Sequence, residues 1–178
     1  MKFWEDLKVI NGGKANILTF IDNALLNTGY QAVLLYRISN FFYRKRIPIL
    51  HRLFNAIGRF ITSSDISYAA EIDEGLMILH GMGVVIGANV KIGKKVKILN
   101  DVTLGNRLGD RESDGQPMIG DNVVIGVGSR ILGPIKIGSN AKIGANSVVL
   151  VDVPPNSTAV GAPAKIIMNK RNEDYNEN

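Results

Sequence analysis

Aliphatic residues recur every six positions from Ile66 to Val153, and no other feature restricts the fold as strongly. The series runs Ile66, Ile72, Ile78; then Ile86, Ile92, Ile98, Leu104; then Ile119, Ile125, Ile131, Ile137, Ile143 and Val149. Glycine often follows, as at Gly87, Gly93, Gly120 and Gly126. Four positions after each aliphatic comes a second apolar or small residue, among them Ala70, Leu76, Met82, Val90, Val96, Ser129 and Ser147. A period of six matches neither a helix nor a two-faced strand over such a length. It matches a solenoid in which short strands meet at corners and coils of three hexads stack on one another. The register slips by two residues around His80 to Val85 and by nine between Leu104 and Ile119. Chemistry is expected at those two breaks.

A chain of 178 residues accommodates one domain, or a compact repeat with a small appendage. It contains no cysteine, which excludes disulfides, thiolate zinc sites, iron–sulfur clusters and cysteine nucleophiles, and is compatible with the cytoplasm. The opening MKFWEDLKVINGGK carries charges where a secretion signal needs an apolar core, so export is not expected. No uncharged apolar run reaches the roughly 18 residues that a bilayer span requires.

Ahead of the repeat the pattern is helical. Weakly patterned segments flank Gly12 and Gly13, and from Gly29 to about Thr62 the apolar spacing predicts two helices separated near Ile47 and Pro48. The expected organisation is an α-helical N-terminal cap over 1–64, the solenoid over 65–167 and a polar tail over 168–178. Between Asp22 and Asp65 there is no Asp or Glu, whereas Arg37, Arg44, Lys45, Arg46, Arg52 and Arg59 are cationic. Two readings follow. The helices cap the open end of the solenoid with a basic solvent face, or the cap also touches an anionic membrane at its inner face. No nucleic-acid-reading motif accompanies the positive charge, so nucleic acid is not an expected partner.

Two histidines are present. His51 lies in the basic helical run, where a surface or packing role is expected. His80 lies at the first slip, in LHGMGVVIG (79–87), where a bulged corner throws its imidazole off the coil. Histidine titrates near neutrality and is the commonest general base. Asp65 precedes it by fifteen residues, close to one coil, so carboxylate and imidazole are expected within reach of each other. The second slip, GNRLGDRESDGQPM (105–118), is a glycine-rich charged loop suited to recognition. Two separated histidines do not supply the converging ligands of a hexapeptide-coil zinc site, so no metal is expected.

The ordered series GYQAVLLYRISNFF (29–42), DISYAAEI (65–72), LHGMGVVIG (79–87), NDVTLGN (100–106), QPMIGDNVVIGVGSRILG (116–133), KIGANSVVLVDVPP (142–155) and VGAPAKI (160–166) resembles the serine acetyltransferase-like branch of the hexapeptide-repeat acyltransferases. The resemblance implies a left-handed parallel β-helix, a homotrimer with active sites in clefts between subunits, and acetyl-CoA as donor. It assigns His80 as the base and Asp65 as its carboxylate partner. It puts the CoA groove on Gly105, Asn106, Val127 and Ala145, with Lys142 and Lys165 near the phosphates. The family's large N-terminal domain, which joins trimers into hexamers, is much reduced, and a plain trimer is expected.

Two departures shape the acceptor expectation. Serine enzymes of this branch carry Asp before the catalytic histidine, where this chain has Leu79, and His before the loop proline, where it has Gln116. Leaving a zwitterion's charges unpaired in a closed cleft is unfavourable by several kcal/mol. The acceptor expected on that ground is a neutral sugar of a bacterial surface polysaccharide, with Leu79, Gln116, Arg107, Asp110 and Arg111 lining its site. Serine O-acetylation and a non-catalytic β-helix scaffold are the alternatives.

Overall fold

The structure, a computed structural model, describes residues 2–107 and 115–168. Asp110 and Arg111, and all of the tail beyond Met168, lie outside the described residues. Four helices come first: α1 (Lys2–Ile10), α2 (Ile17–Leu26), α3 (Thr28–Arg44) and α4 (Pro48–Thr62). None of the described helices is long and apolar enough to cross a membrane.

Short strands then follow one another around a three-sided coil. The first turn is β1 (Asp65–Ile66), β2 (Glu71–Ile72) and β3 (Met77–Ile78); the second is β4 (Val85–Ile86), β5 (Lys91–Ile92) and β6 (Lys97–Ile98). The third is β7 (Thr103–Gly105), β8 (Met118–Ile119) and β9 (Val124–Ile125). The fourth is β10 (Arg130–Leu132), β11 (Lys136–Ile137) and β12 (Lys142–Ile143). The last begins with β13 (Val148–Val149), and β14 (Ser157–Gly161) and β15 (Ala164–Met168) close it as an antiparallel pair. Every third strand from β1 to β13 stacks in parallel, giving sheet A (β1-β4-β7-β10-β13), sheet B (β2-β5-β8-β11) and sheet C (β3-β6-β9-β12), which β14 extends in parallel and β15 antiparallel. Met168, assigned above to the tail, is the end of β15.

Most hexads share one logic. The aliphatic residue points inward, and the residue three places later turns the corner in the left-handed region, at Asn89, Asn122, Asn140 and Asn146 with φ of 64°, 56°, 60° and 55°. Asparagine tolerates that conformation better than other residues bearing a side chain. The small apolar residue at the fourth place then fills the corner from inside, as Val90, Val96 and Val102 do, all fully buried. Both register slips are present. Along sheet A, Asp65 faces Val85, Val85 faces Thr103, Thr103 faces Arg130 and Arg130 faces Val148, steps of 20, 18, 27 and 18 residues. At the first slip the repeat pattern misleads: Met82 is 60% exposed, and Val84, two residues on, takes its place in the core.

The open end of the coil explains the cap. Along the strands, N–H groups of one coil donate to carbonyls of the next, as Asp65 does to Val84 and Glu71 to Val90, whereas corner N–H groups such as that of Asp101 donate back to the coil before. The first coil's own carbonyls therefore have no coil behind them, and buried carbonyls need partners. Helix side chains supply them. Asn55 donates to Ile66 O at 2.8 Å, Asn40 to Tyr68 O at 2.8 Å, Tyr36 to Ala70 O at 2.8 Å and Arg37 to Ile72 O at 2.6 Å. Ala32, Val33 and Tyr36 of α3 continue the apolar core of the prism without a break. In α4 the spacing of apolar residues does not mark the packed face. His51, Gly58 and Thr62 are the buried positions, whereas Leu53 and Phe60 are 49% and 90% exposed. His51 packs its ring on Tyr68 at 4.3 Å and Tyr43 at 5.5 Å, the packing role expected of it.

Asp6 fastens α1 to this end. Its carboxylate is fully buried, pairs with Arg37 at 3.0 Å, and accepts the N–H groups of Gly75 and Leu76 at 2.7 and 3.0 Å. Removing one member of a buried pair leaves the other charge uncompensated. Asp6→Ala is expected to lower unfolding stability by about 3 kcal/mol, read as a shift of the urea midpoint.

Candidate active site

His80 owes its position to the extra two residues between β3 and β4. Its φ of 55° is left-handed, a conformation that a side-chain-bearing residue keeps only where its surroundings hold it. The N–H of Met82 donates to the His80 carbonyl at 2.6 Å, folding the chain tightly around Gly81. The imidazole is exposed, as is Leu79 beside it at 40%.

The neighbouring segments grip this bulge through backbone. Gly83 N–H donates to Ser63 O at 2.9 Å, Asp65 N–H to Val84 O at 2.8 Å, and Asp101 N–H to Met82 O at 2.9 Å. The backbones of Asp65 and the His80 loop are therefore adjacent, but the expected carboxylate–imidazole contact is not made. Arg59, on the last turn of α4, reaches the Asp65 carboxylate at 3.7 Å, and among the described residues no hydrogen bond joins Asp65 to His80. Both members of the Arg59–Asp65 pair are about half exposed, a setting in which such a pair is worth no more than about 1 kcal/mol.

The edge of the prism between sheets C and A carries more than His80. Successive corners stack along it, with Gly128 N–H donating to Asn100 O at 3.1 Å and Asn146 N–H to Val127 O at 2.8 Å. Val127 and Ala145 thus share the histidine's edge, and among the described residues their N–H groups make no backbone hydrogen bond. Lys142 lies exposed on sheet C, and Lys165 lies exposed in β15 of the same sheet.

Gly105, Asn106, Arg107 and Gln116 lie elsewhere, at the edge between sheets A and B. A side chain at Gly105 would meet nothing nearer than a Thr103 methyl at 4.0 Å, so that face of the backbone is open. The neck of the 105–118 loop is closed by Gly115 N–H donating to Asn106 Oδ1 at 3.3 Å. Arg107 is exposed. The Gln116 carboxamide lies against Gly87, and its Oε1 is buried with no hydrogen-bond partner among the described residues. One chain therefore does not bring Gln116, Gly105 and Asn106 to His80, because sheet A separates the two edges.

Three residues that sequence reasoning passed over hold the histidine loop: Ser64, Gly29 and Gly81. The buried Ser64 hydroxyl donates to Gly81 O at 2.6 Å. Gly29, in the first turn of α3, approaches so closely that a Cβ there would stand 1.9 Å from Ile78 O. A Cβ on Gly81 would stand 2.6 Å from the Gly29 Cα. The glycines were visible as glycines; nothing in the sequence paired them.

Residues 117–150 match the family model described as bacterial transferase hexapeptide (six repeats). Among curated proteins the chain is 44% identical over 147 residues to a serine acetyltransferase of Helicobacter pylori, covering 83% of this chain and 85% of that protein. It is 41% identical over 139 residues to one of Synechococcus elongatus, covering 78% of this chain but only 57% of that longer protein. Among solved structures, the Neisseria gonorrhoeae serine acetyltransferase in complex with serine superposes with a TM-score of 0.82 at 39% identity, covering 92% of this chain and 67% of that one. A serine acetyltransferase in complex with CoA superposes with a TM-score of 0.82 at 34% identity, covering 93% and 68%.

These matches correct the acceptor expectation. The relatives and structural neighbours are named for serine, and the sugar of a surface polysaccharide finds no support among them. The sugar expectation rested on two side chains, Leu79 and Gln116, taken by their identity alone. Within one chain Leu79 and Gln116 lie on different edges, so the identity of the two side chains does not define the acceptor's surroundings. The fold expectation stands: the molecule is a left-handed parallel β-helix with an α-helical N-terminal cap. Stacked hexads, a break that exposes one histidine, and relatives matched over most of their length together establish that the chain belongs to the hexapeptide-repeat acyltransferases, beside proteins named serine acetyltransferase.

Proposed function

We propose that this chain is an acetyl-CoA-dependent serine O-acetyltransferase with His80 as its general base. The observation that carries the reading is the exposed imidazole on a two-residue bulge, on the same edge as the Val127 and Ala145 backbone. In this mechanism His80 removes the serine hydroxyl proton as the oxygen attacks the thioester carbonyl. The tetrahedral oxyanion collapses by breaking the carbon–sulfur bond, and the imidazolium returns its proton to the CoA thiolate. No covalent acyl-enzyme intervenes, in keeping with a chain that has no cysteine. Asp65 serves by stabilising the imidazolium. Its exposed contact with Arg59 is weak enough to be exchanged for the charged ring.

The CoA groove is assigned to Gly105, Asn106, Val127 and Ala145, whose contribution is mainly backbone, with Lys142 and Lys165 facing the phosphates. That assignment favours a homotrimer. A three-fold arrangement sets the C–A edge of one prism against the A–B edge of the next, which reunites the two halves that sheet A separates. Gln116 and Arg107 then reach the acceptor from the neighbouring copy, and Leu79 from the copy that supplies His80.

Contact of the cap with an anionic membrane rests on one feature. The outer stripe of α4 is apolar, with Ile49, Leu53 and Phe60 exposed, and exposed Arg52 and Arg59 lie beside it. Cosedimentation with anionic vesicles at low salt, absent with neutral vesicles and lost as salt is raised, is the expected behaviour; no binding at low salt rejects this contact.

The catalytic reading is tested by thiol release from acetyl-CoA with L-serine. His80→Ala is expected to lower kcat by about 10² to 10⁴ with the fold intact, and Asp65→Asn to lower it less. A parent protein inert toward L-serine, or a His80→Ala variant as fast as the parent, overturns the assignment.

A further inference from the structure

The cap does more than close the prism: we infer that Ser64 and Gly29 are positioning residues for His80, clamping its loop between α3 and α4. The inference rests on His80 being the base, as proposed above. It starts from an excess of constraint. A bulge inserted into a regular coil is normally the loosest part of it, yet every carbonyl from His80 to Met82 accepts a hydrogen bond: His80 O from Met82 N–H, Gly81 O from Ser64 Oγ, Met82 O from Asp101 N–H.

Two of the restraints come from the helices. Ser63 ends α4 in the left-handed region at φ 53°, and its carbonyl accepts Gly83 N–H at 2.9 Å. Ser64 follows, 4% exposed, with its hydroxyl donating to Gly81 O at 2.6 Å. From the other side the first turn of α3 meets the loop backbone to backbone. A Cβ on Gly81 would lie 2.6 Å from Gly29 Cα and 2.8 Å from Gly29 N, and one on Gly29 would lie 1.9 Å from Ile78 O. The residue next to His80 is thus pinned by a side chain from the end of one helix and by the backbone at the start of another. The imidazole itself is exposed, and among the described residues no hydrogen bond fixes it. Its direction is inherited from the Gly81 peptide.

A base displaced by a fraction of an ångström still binds substrate but transfers the proton poorly. The signature of a positioning role is therefore a fall in kcat with the KM for acetyl-CoA unchanged. Ser64→Ala removes the donor and leaves Gly81 O buried without it; kcat is expected to fall about tenfold. Ser64→Thr, which restores the hydroxyl, is expected to recover most of the loss. Tyr36→Phe is the control, since it deletes a cap-to-coil hydrogen bond of similar kind, to Ala70 O, away from the histidine. It is expected to reduce stability without changing kcat.

A second readout does not depend on turnover. The chain has two histidines, so the His80 ring signals are assigned in an NMR spectrum by comparison with His80→Ala. In Ser64→Ala they are expected to broaden or shift while those of His51 stay in place. If Ser64→Ala fails to fold, Ser64→Cys keeps the shape with a weaker donor and is expected to give the same changes in milder form. Unchanged kcat and unchanged His80 signals in a folded Ser64 variant overturn the clamp while leaving the base assignment untouched. Full activity in His80→Ala removes both.

Discussion

A stack of coils joined by parallel hydrogen bonds has an unsatisfied row at its first face, and this chain is shaped by the need to answer it. Along its strands each coil hands its N–H groups forward, so the carbonyls of Ile66, Tyr68, Ala70 and Ile72 face backward with no coil to receive from. Left bare, they would offer a template for another strand. Asn55, Asn40, Tyr36 and Arg37 meet them instead, and each stands on a helix of the cap. The helices are thus the coil's missing neighbour, written in side chains rather than backbone. That need also dictates where the polar residues of α3 fall, because Tyr36, Arg37 and Asn40 lie on one side of its axis.

The proposed reactivity grows out of the same arrangement. Most corners of the prism repeat, and one that does not presents a histidine. The bulge would be a weak point if only the coil supported it. Because α3 and α4 abut it, the end that needs covering and the loop that needs holding are served by one set of helices. Stability and the proposed reactivity meet for that reason in this part of the molecule, and not at the far end, where β14 and β15 close the coil as a hairpin.

Much of this was readable from spacing. The six-residue period identified the coil, its inward residues and both breaks, because sterics at a corner leave few choices for the residues that form it. His80 stood out for the same reason. The failures came where a contact is made by groups distant in sequence or by the backbone alone. Met82 occupies the repeat's apolar position but lies outside, since two inserted residues hand its place to Val84. Apolar spacing predicted α4 as a helix but did not mark its packed face: the tight approach to α3 selects Gly58 and Thr62 and turns Phe60 outward. Ser64 carries no local signature, because its partner, Gly81 O, belongs to a peptide 17 residues away. The acceptor was misjudged on two side chains whose surroundings could not be known from their identity.

The second register break has a consequence of another kind. Thr103 still faces Arg130, and Lys91 still faces Met118, although 27 residues rather than 18 separate each pair. The nine additional residues leave the frame undisturbed on both sides, so the segment between Gly105 and Met118 is free to lengthen, shorten or change composition without renegotiating the scaffold. Inheritance can therefore tinker with what this loop is proposed to recognise while the proposed base, His80, stays as it was. Within such a lineage, preference for one acceptor over another is the trait expected to drift fastest.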